Sequence, residues 1–320
     1  MKVIVCGTMF PGARGVLAPL LPDDDVEIVA VDRLTEAVHG ADVLIPMMTR
    51  IDARLIAMTS ARLIQQWGAG LEGVDIGAAS AGGIYVANVP SDLTPNAEST
   101  AEHALLLMLG SARRLRTCAR MFEEGTWGAP VGGALFGRRA LIVGFGRIGK
   151  ALARRLVAMG MRVDAVRRVP EAGEADRHGV ERLGTPVDLS RLAADADFVV
   201  CTASATPESR AMLNGAVFRV MKPTAIVVNV SRGAVIAEDD LVVALQTGHI
   251  AGAGLDVFAE EPLRPGHPLL AMEQVLATPH VAGVTVQSYE GISTVVAENV
   301  KRLHTGQVPA HCVNLERLPR

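Results

Sequence analysis

The hexapeptide Gly144-Phe145-Gly146-Arg147-Ile148-Gly149 follows the apolar run Ala140–Val143 and opens a helical stretch from Lys150 to Met159. In a strand–turn–helix setting, each glycine has a physical task. Gly144 permits the tight turn, Gly146 lets the backbone approach phosphate groups, and Gly149 lets the helix pack closely on the strand. The helix N-terminus then offers unsatisfied amides to an anion. Glycine supplies 32 of 320 residues, so the spacing alone could arise by chance. Its position between a strand and an amphipathic helix makes it a signature for a dinucleotide pyrophosphate.

The second strand of the unit decides which dinucleotide is expected. NAD-type units end this strand, about 20 residues on, with an acidic residue that accepts from the ribose hydroxyls. Here the run Met161–Val166 ends in Arg167-Arg168, and Asp164 lies mid-strand, three residues early. Guanidinium groups cannot accept from a hydroxyl but bind a 2′-phosphate through charge-assisted pairs. NADP(H) is therefore the expected cofactor, with NAD(H) as the alternative.

Composition narrows the function classes. The formal net charge of −3 includes no long basic block, which argues against nucleic acid or an anionic membrane as main partner. Met1–Cys6 reads as a first strand rather than a leader, and no stretch is long and apolar enough to span a bilayer, so a cytoplasmic protein is expected. Cys6, Cys118, Cys201 and Cys312 are scattered without ligand spacing, and they read as reduced packing thiols with no metal site.

The pattern along the chain is α/β throughout. Strand-like runs fall at Val3–Cys6, Val26–Val31, Asp42–Pro46, Leu63–Trp67 and Ile84–Val89, before a long helix expected from Ala97 to Arg116. A second series follows at Leu141–Val143, Met161–Val166, Phe198–Cys201, Ala225–Val230, Gly252–Val257 and Val275–Thr278, and Val286–Leu303 reads as a closing helix. This predicts two parallel-sheet lobes: a Rossmann dinucleotide-binding domain over 97–284, inserted into a flavodoxin-like substrate domain formed by 1–96 and 285–320. A ligand cleft between the lobes and hinges near 96 and 284 are expected.

Ligands of parallel sheets bind beyond the carboxyl ends of the strands. Three such ends carry chemistry here: Arg232 after Ala225–Val230, Glu260-Glu261 after Gly254–Phe258, and His280 after Val275–Pro279. Singly, each residue is ordinary; on consecutive strand ends beside a dinucleotide, they suggest a site.

Together with Gly68–Asp75, Asn96–His103, Met221–Pro223, Asn229–Gly233, Gly254–Phe258, Glu261-Pro262 and Thr278–Gly283, the chain resembles the D-isomer-specific 2-hydroxyacid dehydrogenase family over nearly its whole length. The resemblance implies that Arg232 holds the substrate carboxylate, His280 is the acid/base and Glu261 is its partner, with Glu260 a bystander. It also implies that Gly68, Ala69 and Gly70 cradle the carboxylate, that Asp256 lies near the nicotinamide carboxamide, and that Asn96 and Val230 join the cofactor set. Homodimerisation through the second lobe follows from the same source. The chemistry agrees, because hydride transfer at C2 requires a proton to move on the attached oxygen and imidazole can carry it. A carboxylate against the ring stabilises the imidazolium and fixes its tautomer, while the planar fork of arginine fits a carboxylate.

The chain also departs from the family pattern. Thr202-Ala203-Ser204 stands where relatives often carry His-x-Pro, and Thr202 and Ser204 are expected to hydrogen-bond the 2′-phosphate region. Met47-Met48 occupies a stretch where relatives can present Arg-Ser, which argues against a phosphorylated substrate. Trp67 either limits the pocket or belongs to the core, and His103 is assigned to structure. The expected function is NADPH-preferring reduction of a small 2-oxo acid, such as glyoxylate or hydroxypyruvate, to the D-2-hydroxy acid. The alternatives are formate or phosphite oxidation on the same scaffold, and a dinucleotide-sensing, corepressor-like interaction protein.

Overall fold

The computed structural model of the chain describes residues 1–91 and 93–319. Two compact units emerge, one formed by Met1–Asn96 with Thr285–Arg320 and the other by Ala97–Val284.

In the first unit, β1 (Lys2–Cys6), β2 (Asp25–Val29), β3 (Val43–Ile45), β4 (Leu63–Gln65) and β5 (Tyr85–Ala87) form a parallel sheet of order β2-β1-β3-β4-β5, the flavodoxin-like arrangement. Alternation along β1 explains its burial. Val3 and Val5 join one core, where they meet Leu17 and the Val286–His304 helix through Ile292, Val296 and Val300. Ile4 and Cys6 join the opposite core with Leu34, Leu44 and Val86. The free edge of β5 is covered by the C-terminal segment, where Val86 donates to Asn314 Oδ1 and Val313 donates to Val86.

In the second unit, β6 (Arg139–Val143), β7 (Arg162–Val166), β8 (Arg182–Gly184), β9 (Phe198–Cys201), β10 (Ile226–Asn229), β11 (Gly252–Leu255) and β12 (Val275–Ala277) form an all-parallel sheet of order β12-β11-β10-β9-β6-β7-β8. Strand order reverses between β6 and β9, the topological switch point of a doubly wound fold. Leu141 and Val143 face one core and Ala140 and Ile142 the other, so β6 is buried on both sides. Leu141, Ile142 and Val143 each contribute roughly 1.5–3 kcal/mol by burial.

Two local expectations need correction. The helix expected over Ala97–Arg116 is two helices, Asn96–Ala112 and Leu115–Glu123, broken where Arg114 takes φ +53°. The Val131–Ala134 loop packs on this break, with the Gly133 amide bonded to the Ala112 carbonyl. A Cβ on Gly132 would lie 2.9 Å from Arg113 Cα, so the helix end and loop approach at backbone distance. β8 was not anticipated because Arg182-Leu183-Gly184 lacks an apolar run. It is tied to the sheet by Arg182, whose guanidinium bonds the buried Asp164 at 3.0 and 2.6 Å.

Candidate active site

The glycine turn lies at the switch point. Gly144 has φ +99°, and a Cβ there would come within 2.5 Å of the Ala203 backbone. A Cβ on Gly149 would lie 2.5 Å from the Gly144 carbonyl, so the helix sits directly against the turn. Gly146, by contrast, faces open space and is the N-cap of the Arg147–Ala158 helix. Two glycines therefore close the turn and the third leaves room at the helix N-terminus, which is the space a pyrophosphate requires. Phe145 turns its ring into the core against His178, and Val230 is likewise buried, so both can meet a cofactor only through backbone. Arg147 is exposed and Ile148 half-buried on the first helical turn.

The end of β7 has more structure than its sequence showed. Asp164 is buried and bound by Arg139 at 2.8 Å as well as by Arg182, so it has no role as a ribose acceptor. Arg167 is held by the fully buried carboxylate of Glu174, which also binds Lys150 at 2.7 Å and accepts the Glu171 amide. Arg168 is exposed beside this cluster. The strand end therefore combines three cations with one buried carboxylate from the short helical turn that begins at Glu174.

Thr202 departs from expectation. Its hydroxyl donates to the Gly144 carbonyl at 2.6 Å and so pins the glycine turn. β9 lies on the far side of β6 from β7, and strand spacing puts their ends roughly 10 Å apart. Ser204 is exposed on the loop that follows β9.

Consecutive strands β10, β11 and β12 carry Arg232, Glu261 and His280 to the same carboxyl edge. Arg232 is half-buried, and its turn is fixed by Asn229 Nδ2, which donates to the Arg232 carbonyl at 3.0 Å. The next residue admits only glycine, since a Cβ on Gly233 would lie 1.9 Å from the Phe258 carbonyl. Of the two adjacent glutamates, Glu261 meets His280, with Oε2 2.6 Å from Nδ1. Its other oxygen accepts the Phe258 amide at 2.9 Å. Glu260 pairs with Arg264 at the surface. The histidine has φ +55°, an uncommon conformation for a residue with a side chain.

Asp256 enforces that conformation. Its carbonyl accepts the His280 amide at 2.8 Å, and its carboxylate accepts the amides of Val281 and Ala282, each at 2.9 Å, and the Thr278 hydroxyl at 2.6 Å. His103, which the sequence assigned to structure, bonds Thr278 Oγ1 at 2.9 Å. Burial pushes the Asp256 carboxyl up, but hydrogen bonds from His103, Thr278 and the two amides outweigh it and hold the group below the usual aspartate range. Asp256, expected near the carboxamide, thus has its side chain turned into the protein as the organiser of the His280 loop.

In the first unit, Gly68, Ala69 and Gly70 follow β4. All three carbonyls are engaged within the unit: Gly68 by the Val89 amide at 3.0 Å, Ala69 by Asn88 Nδ2 at 2.8 Å, and Gly70 by Gln66 Nε2 at 2.7 Å. The amides of Ala69 and Gly70 have no acceptor among the described residues. With carbonyls held and amides unsatisfied, this loop is suited to an anion. Trp67 is buried edge-on to Tyr289 with ring centroids 5.6 Å apart, and its indole N–H has no partner among the described residues. Asn96, from the cofactor set, accepts a bond from Ser288 Oγ at 3.1 Å. The sequence reading missed Gln66 and Glu174; the only signal was a polar pair, Gln65-Gln66, closing an otherwise apolar strand.

Among the described residues, no cluster suited to a metal ion occurs, and no helix is long and apolar enough to cross a membrane. A doubly wound sheet with a glycine turn at its switch point, and an imidazole–carboxylate pair on the same edge, defines a dinucleotide-dependent oxidoreductase.

Comparison with known proteins makes the class specific. Residues 105–282 match the NAD binding domain of the D-isomer specific 2-hydroxyacid dehydrogenases. The chain is 38% identical over 294 residues to a glyoxylate reductase of Korarchaeum cryptofilum, covering 88% of this chain and 86% of that protein. It is 35% identical over 301 residues to a D-3-phosphoglycerate dehydrogenase of Mycobacterium bovis, covering 91% of this chain and 56% of that one. Among solved structures, the NADPH-dependent glyoxylate/hydroxypyruvate reductase of Sinorhizobium meliloti, in complex with NADP and malonate, superposes with a TM-score of 0.84 at 28% identity, over 100% of this chain and 98% of that one. The chain belongs to the D-isomer-specific 2-hydroxyacid dehydrogenase family.

Proposed function

We propose that the protein is a cytosolic, NADPH-preferring reductase that converts a small, unphosphorylated 2-oxo acid of the glyoxylate or hydroxypyruvate type to its D-2-hydroxy acid. The observation that carries the reading is the 2.6 Å contact between His280 Nδ1 and Glu261 on the edge that also bears Arg232. When bound, the dihydronicotinamide supplies the hydride that reaches C2. With Nδ1 committed to the carboxylate, His280 gives its proton to the C2 oxygen through Nε2, and Glu261 stabilises the imidazolium before transfer. Arg232 pairs with the substrate carboxylate through its planar fork and offsets negative charge developing on the oxygen. The Ala69 and Gly70 amides receive carboxylate oxygen.

NADPH preference is supported by Arg168 and Arg167 at the end of β7, where Asp164 is occupied by other arginines. The NADP-bound Sinorhizobium relative agrees with it. An unphosphorylated substrate is favoured by Met47 and Met48 after β3, which offer no charge to a phosphate. A homodimer is supported by the apolar surface on the 97–284 unit, where Phe122, Trp127, Val131 and Phe136 are 69–91% exposed. Light scattering on the purified protein tests that assembly. The function is tested by steady-state kinetics with NADPH and NADH against glyoxylate, hydroxypyruvate, pyruvate, longer 2-oxo acids and a phosphorylated one. Efficient NADPH turnover of the small acids supports the reading; a preference for the phosphorylated acid or for NADH overturns the corresponding part.

A further inference from the structure

Gln66 sits at the end of β4 with nearly every polar atom of its side chain committed. Its Nε2 donates to the carbonyls of Met47, at 3.0 Å, and Gly70, at 2.7 Å, while Oε1 accepts the Trp67 amide at 2.9 Å. The residue is only 8% exposed. Its backbone is fixed as well, with its amide on the Ala87 carbonyl and its carbonyl bonded by Gln65 Nε2 at 2.9 Å. Gln65 in turn accepts from Asn299 of the Val286–His304 helix at 2.7 Å. A buried polar chain thus runs from that helix to the loop after β4.

The bonds impose a specific requirement. Two carbonyls need donors and one amide needs an acceptor, so only a primary amide at this reach satisfies all three. A glutamate would keep the acceptor and lose both donors; a methionine would fill the volume and lose all three bonds. Met47 has φ +55°, so its turn depends on such external bonds. By bonding the Trp67 amide and the Gly70 carbonyl, Gln66 fixes both ends of the Gly68–Gly70 loop, whose Ala69 and Gly70 amides have no acceptor among the described residues.

We propose that Gln66 is a positioning residue for substrate recognition, anchoring at both ends the loop that presents the Ala69 and Gly70 amides to the 2-oxo acid carboxylate and locking the Met47 turn to it. The proposal rests on the reading that these amides receive the carboxylate. It predicts that Gln66 acts on carboxylate recognition rather than on hydride or proton transfer.

The test compares wild type, Gln66→Met and Gln66→Glu, using glyoxylate and its neutral amide, glyoxylamide, as alternative substrates. Loss of the two donated bonds is expected to raise KM for glyoxylate about tenfold in either variant, with kcat lowered less than about threefold. The preference for acid over amide should narrow by a similar factor, while the NADPH dissociation constant, read by quenching of tryptophan fluorescence, stays unchanged. A purely structural role would lower the melting temperature and leave the acid-to-amide preference intact, and that result overturns the proposal while the carboxylate reading stands. Absence of any acid preference in the wild type overturns the carboxylate reading and the proposal with it. Should Gln66→Met fail to fold, Gln66→Glu, which retains the bond to Trp67, decides between the same outcomes.

Discussion

Oε2 of Glu261 lies 2.6 Å from Nδ1 of His280, and Oε1 of the same carboxylate accepts the Phe258 amide at 2.9 Å. The carboxylate is fixed at both ends, so the ring it holds has one orientation. Replacing Glu261 with glutamine removes the charge that stabilises the imidazolium and lowers kcat for 2-oxo acid reduction by about 10²-fold. Glu260→Gln is the control, because Glu260 pairs with exposed Arg264 at the surface, and it should change kcat less than about twofold. Parallel steady-state measurements on the two variants check both outcomes.

Asp256 links pH to the integrity of the His280 loop. Its folded carboxyl is held below the ordinary aspartate range, so the stability it contributes is complete above that range and is lost as pH falls through the lower folded value. Asp256→Asn puts an amide NH2 against backbone donors and should cost about 1–3 kcal/mol near neutral pH. The difference from wild type shrinks on acidification, as the wild-type carboxylate itself takes up a proton. Urea unfolding midpoints measured from neutral to acidic pH read this directly.

At the end of β7 the two arginines should behave differently. Arg168 is exposed, whereas Arg167 is committed to buried Glu174. Arg168→Ala should weaken NADPH binding about tenfold through loss of a charge-assisted bond, leave NADH binding unchanged and leave stability intact. Arg167→Ala should weaken NADPH binding as well and also destabilise the fold, because it removes a partner of a buried carboxylate. Calorimetric titration with each coenzyme, together with thermal melts, separates the two.

Burial pushes the Cys6 thiol up to about 12, and Cys201, fully buried beside Ser231, is also shifted upward by burial. Cys118 and Cys312 are partly exposed. An aromatic disulfide reagent at mild alkaline pH should therefore label Cys118 and Cys312 in the native protein and add Cys6 and Cys201 only on unfolding. Peptide mapping after labelling identifies the sites.

Much of the fold was legible because its strands are buried on both faces and read as short apolar runs, as at Leu141–Val143 and Phe198–Cys201. The glycine turn was legible because Gly144 and Gly149 sit where any side chain would collide with backbone. β8 was not, since an ion pair with Asp164 rather than apolar burial anchors it. Nor was the break at Arg114, where a loop from residues 131–134 packs against the helix end. Spacing in sequence could suggest Arg232, Glu261 and His280 as strand-end residues. It could not reveal that Asp256 faces inward, that Thr202 serves the glycine turn, or that Glu174 meets Arg167. Those facts depend on which strands are neighbours and on how the loops after them fold back, which residue spacing does not show.

The central claim is that His280 moves the proton while other residues hold the ligands. The most direct measurement is single-turnover oxidation of NADPH by glyoxylate in His280→Asn, alongside a titration of NADPH binding to the same protein. The rate is expected at least about 10³-fold below wild type, with coenzyme affinity within about threefold. A variant that oxidises NADPH at close to the wild-type rate would contradict that claim.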